Sequence, residues 1–248
     1  MSALFHLYLC GRIAAEWLIT MNEINIQPIA RMHSDFPTKF GIPRQANLVE
    51  QLRSVIVFEP QFRNPDALRG MEGFSHLWII WQFSEAVRTE WSPTVRPPRL
   101  GGNSRMGVFA TRSPFRPNSL GLSCVKFEGI ELDPSLGPVI HVSGADLMDG
   151  TPIFDIKPYI PYADCHPEAL GGFTDTAGSF LLQVEFPPAL LEQLPPDKRD
   201  AAVGVLSHDP RPSYQRSPDR IYGLPFAGFD IRFRVADDIL TVLEVQPL

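Results

Sequence analysis

The chain has 248 residues, 44% apolar and 20% charged, with formal charge −6, which is the make-up of a soluble globule holding one large domain, or one medium and one small. Its 25 prolines argue against a helical bundle, and no run supplies the roughly 20 apolar residues that a transmembrane helix needs. Three separated cysteines, Cys10, Cys124 and Cys165, without a C-x-x-C pair, support neither a zinc knuckle nor a disulfide framework and fit reduced thiols in a cytoplasmic protein.

Residues 1–20 differ in composition from the rest and read as a disordered upstream extension, with Met21 opening the first plausible strand. Ile24, Ile26, Ile29 and Met32 flank Pro28, which suggests an edge or bulged strand. A polar loop follows over 33–47, and then a β-branched strand, LRSVIVF, at 52–58. Pro65 and Gly73 bracket one or two helical turns, after which SHLWIIWQF (75–83) reads as a strand buried on both faces or nearly so. Further strands are expected at Met106–Ala110, Leu120–Phe127, Val139–Val142 and Ile153–Ile156. Short strands at this spacing suggest a mainly β fold, a barrel or sandwich over 21–165. A Pro/Gly/Ala-rich linker at 161–178 marks a domain boundary. Beyond it, over 179–248, a strand (Phe180–Phe186), proline-interrupted helical turns (188–206) and strands at Phe229–Val235 and Ile239–Val245 make a small α+β unit.

Two stretches concentrate chemistry. Residues 91–127 hold Arg96, Arg99, Arg105, Arg112, Arg116 and Lys126 and no Asp or Glu, in a protein that is acidic overall. Turn residues space these arginines, and Phe109 and Phe115 lie among them, a mix suited to stacking a base beside a phosphate. The second stretch, 144–164, gathers Asp146, Asp149, Asp155 and Asp164 around Lys157, Tyr159 and Tyr162. Lys157 amid the aspartates and the lack of EF-hand spacing weigh against a metal there. No two glycines stand at i and i+2, so the dinucleotide fingerprint is absent, and Val108 stands where a P-loop with Gly102 and Gly107 needs lysine. No H-E-x-x-H or G-x-S-x-G occurs. A nucleotide-like cofactor, if bound, is bound in some way other than on a Rossmann helix.

The runs PRQ (43–45), RGMEGFSHLWII (69–80), RPPRLGG (96–102), MGVFATRSPFRPNSLGLS (106–123), DLMDGTPIFDIKPY (146–159) and DPRPSY (209–214) resemble the TrmO family, tRNA methyltransferases built on a TsaA-like domain. The resemblance runs from about Asn25 to the C-terminus. It implies a small antiparallel β-barrel with an appended C-terminal domain, and a homodimer whose active site lies near the subunit interface. It also implies transfer of a methyl group from S-adenosylmethionine to N6 of threonylcarbamoyladenosine beside the anticodon. The N-terminal extension departs from the family's pattern, as does Ser119 where proline is often found.

Carried over position by position, the resemblance implies a cofactor site made by Gln45, Ala46 and Asn47, Ser84 and Glu85, Arg112, Leu122, and Gly144, Ala145 and Asp146. Arg112 would meet the methionine carboxylate, which a guanidinium fork fits. Arg99, Arg105, Arg116, Lys157 and Arg211 are the candidates for RNA contact. The reaction needs alignment above all, and removal of the N6 proton would help. Asp149, Asp155 and Tyr159 are the candidates for that step, and the sequence does not choose among them. His76 reads as a core histidine. A non-enzymatic RNA-binding module and a methyltransferase with another substrate are the rival classes.

Overall fold

The computed structural model describes residues 24–97, 100, 104–175, 181–212 and 217–248. The expected extension at 1–20, with Cys10 and Met21, lies outside the described residues, as does Arg99.

Six strands form the first sheet: β1 (Ala30–His33), β2 (Arg53–Phe58), β3 (His76–Gln82), β6 (Leu120–Asp133), β7 (Gly137–Ser143) and β8 (Pro152–Pro158). Their order is β1-β2-β7-β6-β3-β8, and β8 pairs back with β1 through Ala30↔Ile153, so the ring closes. All its pairings are antiparallel. Side chains alternate between the two faces of a strand, and the buried set is the inward one. Ala30, Met32, Ile56, Leu77, Ile79, Trp81, Val125, Ile140, Val142 and Ile153 fill the ring. Each large apolar side chain removed from water here contributes on the order of 1.5–3 kcal/mol. Between β3 and β6, β4 (Thr94–Val95) and β5 (Met106–Gly107) make a separate short ribbon.

Several expectations are corrected. The first strand starts at Ala30, beyond Pro28, and is paired on both sides because closure leaves no edge; Ile24 and Ile26 are exposed. β3 alternates between buried and half-buried residues instead of being buried on both faces. Helical turns do form at 65–73, but as 3-10 turns interrupted at Gly70, whose φ of +87° suits only glycine without strain. The strand expected at Met106–Ala110 ends at Gly107, and Val108–Ala110 turn into a 3-10 helix.

The second sheet has the order β10-β11-β12-β9: β9 (Gln183–Glu185), β10 (Tyr222–Phe226), β11 (Phe229–Ala236) and β12 (Ile239–Pro247). Pro225 sits on β10, an edge strand, where its missing N–H does least harm. The helix Arg199–Ser207 packs Ala201, Ala202, Val205 and Leu206 onto this sheet. Phe36, Val49 and Leu52, from the segment between β1 and β2, belong to the same core. Phe36 meets Phe226 at 5.3 Å between ring centroids, and Lys198 Nζ donates to Asp35 at 2.8 Å. A boundary at 161–178 therefore separates the two sheets, but the second core draws Phe36, Val49 and Leu52 from the N-terminal side of it. The loop over 33–47 that reads as polar carries a buried phenylalanine into the C-terminal unit.

Candidate active site

β6 is fourteen residues long, yet β7 accompanies it only from Lys126 onward. The half from Leu120 to Val125 pairs with β3 alone. Two loops close its open side. The Asn47 side-chain amide donates to the Cys124 carbonyl at 3.0 Å, and the Asn47 N–H donates to the Gly144 carbonyl at 2.8 Å. Asn47 and Gly144 both have positive φ, 63° and 70°. A Cβ on Gly144 would lie 2.5 Å from Asn47 Oδ1 and 3.2 Å from its Cα, so only glycine allows the two backbones to come this close.

Against this cradle stands Asp146. Ser123 Oγ donates to its Oδ1 at 2.6 Å, and the Trp81 indole N–H donates to Ser123 Oγ at 3.0 Å. The carboxylate is only partly exposed, and desolvation raises its pKa above the usual aspartate range. The Ser123 hydroxyl, the backbone amides of Asp146 and Ala46, and the Arg112 charge each pull the other way. Arg112 Nη1 donates to Gln45 Oε1, which ties the 111–116 turn to the 44–47 loop. The structure thus brings together Gln45, Ala46, Asn47, Arg112, Gly144, Ala145 and Asp146. Trp81 and Ser123 join them; sequence reasoning missed both, because a strand of alternating residues shows only that they point inward.

The other carried-over positions lie apart. Leu122 is 56% exposed on the outer face of β6, beside Ile80 of β3. Ser84 and Glu85 open a 3-10 turn after β3, and Glu85 reaches Lys39 at 4.0 Å. Among the candidate bases, Asp149 accepts the Ser34 N–H at 3.1 Å and lies 3.3 Å from His33, so it anchors the turn after β1. Asp155 pairs with Lys157 at 2.8 Å on the outer face. Tyr159 packs against Trp78 and His76, and partial burial, followed by the nearby Cys165, raises its phenol pKa. His76 is half-buried, with Nδ1 against Ser75 Oγ at 2.9 Å.

Among the RNA candidates, Arg105 reaches Thr94 Oγ1 at 3.3 Å and Arg116 reaches the Thr111 carbonyl at 3.4 Å, both neutral partners. Arg211 differs. Its Nε and Nη2 grip Asp209 at 2.7 and 2.9 Å, a two-point pair that raises its pKa and uses the fork that a phosphate would need.

Two family models match the chain: the tRNA-methyltransferase O N-terminal domain over residues 31–165 and the TrmO C-terminal domain over 180–248. The chain is 37% identical over 235 residues to the tRNA (adenine(37)-N6)-methyltransferase of Escherichia coli, which covers 92% of this chain and all of the relative. It is 44% identical over 172 residues to the protein of that name from Eikenella corrodens, covering 65% of this chain and 91% of the relative. A crystal structure of TrmO from Pseudomonas aeruginosa superposes with a TM-score of 0.76 at 32% identity, over 93% of this chain and all of the other. Matched in both its segments and along nearly its whole length, the chain belongs to the tRNA-methyltransferase O family.

Proposed function

We propose that this chain is an S-adenosylmethionine-dependent methyltransferase acting on N6 of threonylcarbamoyladenosine at position 37 of tRNA, beside the anticodon. The observation that carries the reading is the cradle on the open half of β6, where a glycine-only backbone contact, a guanidinium and a partly buried carboxylate converge. That donor set fits an amino-acid-bearing nucleoside. Arg112, with Gln45, would hold the ligand's carboxylate, and Asp146 would accept hydrogen bonds from its ammonium or ribose hydroxyls. Leu122, Ser84 and Glu85 lie apart from this cradle, and in this reading the ligand extends beyond it to reach them. When bound, the cofactor supplies an electrophilic methyl group. The protein's own part is to hold N6 in line with that methyl and to help the N6 proton leave. Of the three candidates, Asp155 is taken as the acceptor in this reading. It stands opposite Ile80, which stands opposite Leu122, so the three form one cross-strand row on the outer face. Lys157 pairs with Asp155 at 2.8 Å.

In this reading the described residues within 21–165 make the TsaA-like barrel that carries this chemistry, and those within 179–248 make an appended domain. Leu122, exposed on the outer face of β6, and the 91%-exposed Tyr162 after β8 suit the contact surface of a homodimer. Arg105, Arg116 and Lys157 face tRNA in this reading. The substrate and the unpaired thiols both suit the cytoplasm, and among the described residues no helix is long and apolar enough to cross a membrane.

The test is nucleoside mass spectrometry of tRNA from cells lacking the protein, with purified protein and S-adenosylmethionine added back. The N6-methylated nucleoside should vanish and then return. Unchanged nucleosides would refute the substrate. A non-enzymatic RNA-binding module is separated by calorimetry, since only the enzyme should bind S-adenosylhomocysteine.

A further inference from the structure

Phe109 and Trp91 are large aromatics left in solvent, 72% and 50% exposed, with ring centroids 6.0 Å apart and planes 30° from parallel. They come together because of the backbone. β4 and β5 pair through Thr94↔Gly107 and Val95↔Met106, and the Val108 N–H extends that ladder to the Pro93 carbonyl at 2.9 Å. Val108 is buried and pins the turn from which Phe109 projects, and Thr111 closes that turn with its hydroxyl on the Val108 carbonyl at 2.9 Å. The two rings are thus held in place before any partner arrives. Phe115, the other aromatic of the basic stretch, is already covered, with Arg88 lying 3.8 Å over its ring. No acidic residue occurs between 91 and 127, where six basic ones do.

We infer that Trp91 and Phe109 form a stacking platform for an unpaired nucleobase of the RNA substrate. The inference rests on the tRNA reading above and adds to it a recognition element. An exposed aromatic pair in an apolar surround would suit a protein or a membrane. Here the chain from Trp91 through Phe109 to Phe127 carries six basic residues and no acidic one, with Glu90 lying just outside it, which suits a base whose own backbone carries phosphates. Phe109 precedes Arg112 by three residues, so their Cα atoms are at most about 11 Å apart. A base on the platform is therefore close to the cofactor site. Stacking accepts every base, because each has a π-face, so the platform positions the loop without reading its sequence.

The experiment uses the full-length protein with Trp91→Ala, Phe109→Ala, Trp91→Phe and Phe109→Tyr, an anticodon stem-loop RNA, and a fully paired duplex of the same length. Both alanine variants should weaken stem-loop binding about tenfold, and the aromatic replacements should restore it. Duplex binding should not change, because it offers no unpaired base. The slope of log affinity against log salt should also be kept, because stacking releases no counterions. S-adenosylhomocysteine affinity and melting temperature serve as controls and should match wild type. Equal losses for duplex and stem-loop, or a flattened salt slope, would overturn the platform. So would stem-loop affinity that is unchanged in both alanine variants while the wild type binds RNA normally. A wild-type protein that binds neither RNA overturns the substrate reading itself, and the platform with it.

Discussion

Asp146 keeps its proton to higher pH than an ordinary aspartate because its carboxylate is desolvated, and the Ser123 hydroxyl only partly offsets that. The sign of the consequence follows from linkage. A carboxylate whose pKa is raised on folding binds more protons in the native state than in the unfolded one. Stability is therefore lost as pH rises from the ordinary aspartate value, about 3.9, through the raised one. Asp146→Asn removes that penalty while keeping an acceptor for Ser123. Its melting temperature at neutral pH should equal or exceed that of wild type, with the advantage disappearing below about pH 3. Affinity for S-adenosylhomocysteine should fall at the same time, and a scan of melting temperature against pH with a ligand titration reads both. Arg112 makes a complementary case. Lysine keeps its charge but not the fork, so Arg112→Lys should weaken ligand binding and Arg112→Ala should weaken it more, by about 1.5–3 kcal/mol. Binding like wild type in both would assign Arg112 to RNA instead.

At the scale of elements, the cradle of the candidate site exists because β6 outruns β7. The uncovered half strand needs partners, and the 44–47 and 144–147 loops supply them at a closeness that depends on Gly144. Gly144→Ala combines a positive φ with a contact of 2.5 Å to Asn47 Oδ1. It should cost about 1–3 kcal/mol in urea unfolding and abolish measurable cofactor binding. Gly121, on β6 itself, is a second such place, since a Cβ there would lie 2.3 Å from the Trp81 ring. Gly121→Ala should displace the indole and break its hydrogen bond to Ser123, with loss of ligand affinity as the readout. Normal affinity in that variant would show that the Trp81–Ser123 pair does not position Asp146.

At the scale of the whole molecule, the segment between β1 and β2 locks the two sheets together. Phe36, Val49 and Leu52 sit in the C-terminal core, and Lys198 and Asp35 form an ion pair that is mostly shielded from water. One cooperative unfolding transition is expected, with calorimetric and van't Hoff enthalpies in agreement. Lys198→Ala leaves Asp35 without its partner and should destabilise that single transition by about 2 kcal/mol. Two resolved transitions in the wild type would refute the shared core. Light scattering on a sizing column is expected to give twice the chain mass. A monomer that still methylates tRNA would remove the homodimer from the mechanism.

The sequence alone determined the β-rich class, because alternation along a strand is a local pattern that burial on one face enforces. It placed the second sheet's last two strands closely, and its long motifs identified the family. Through that resemblance it singled out Arg112 and the 45–47 and 144–146 segments, which the fold brings together. Tertiary structure decided what no local pattern encodes. Pro28 reads as a mark of an edge, but ring closure gave β1 a neighbour on each side. Phe36 sits in a polar loop, and only the packing of the C-terminal unit made it core. The arginines of the basic stretch and Arg211 carry the same side chain, yet Asp209 holds only the last in a two-point pair. Ser123 and Trp81 are ordinary strand residues until registry sets Ser123 against Ile79 and brings the indole N–H over its hydroxyl. Pairing between residues far apart in the chain is chosen by the global fold, so its chemistry becomes visible only once that fold is known.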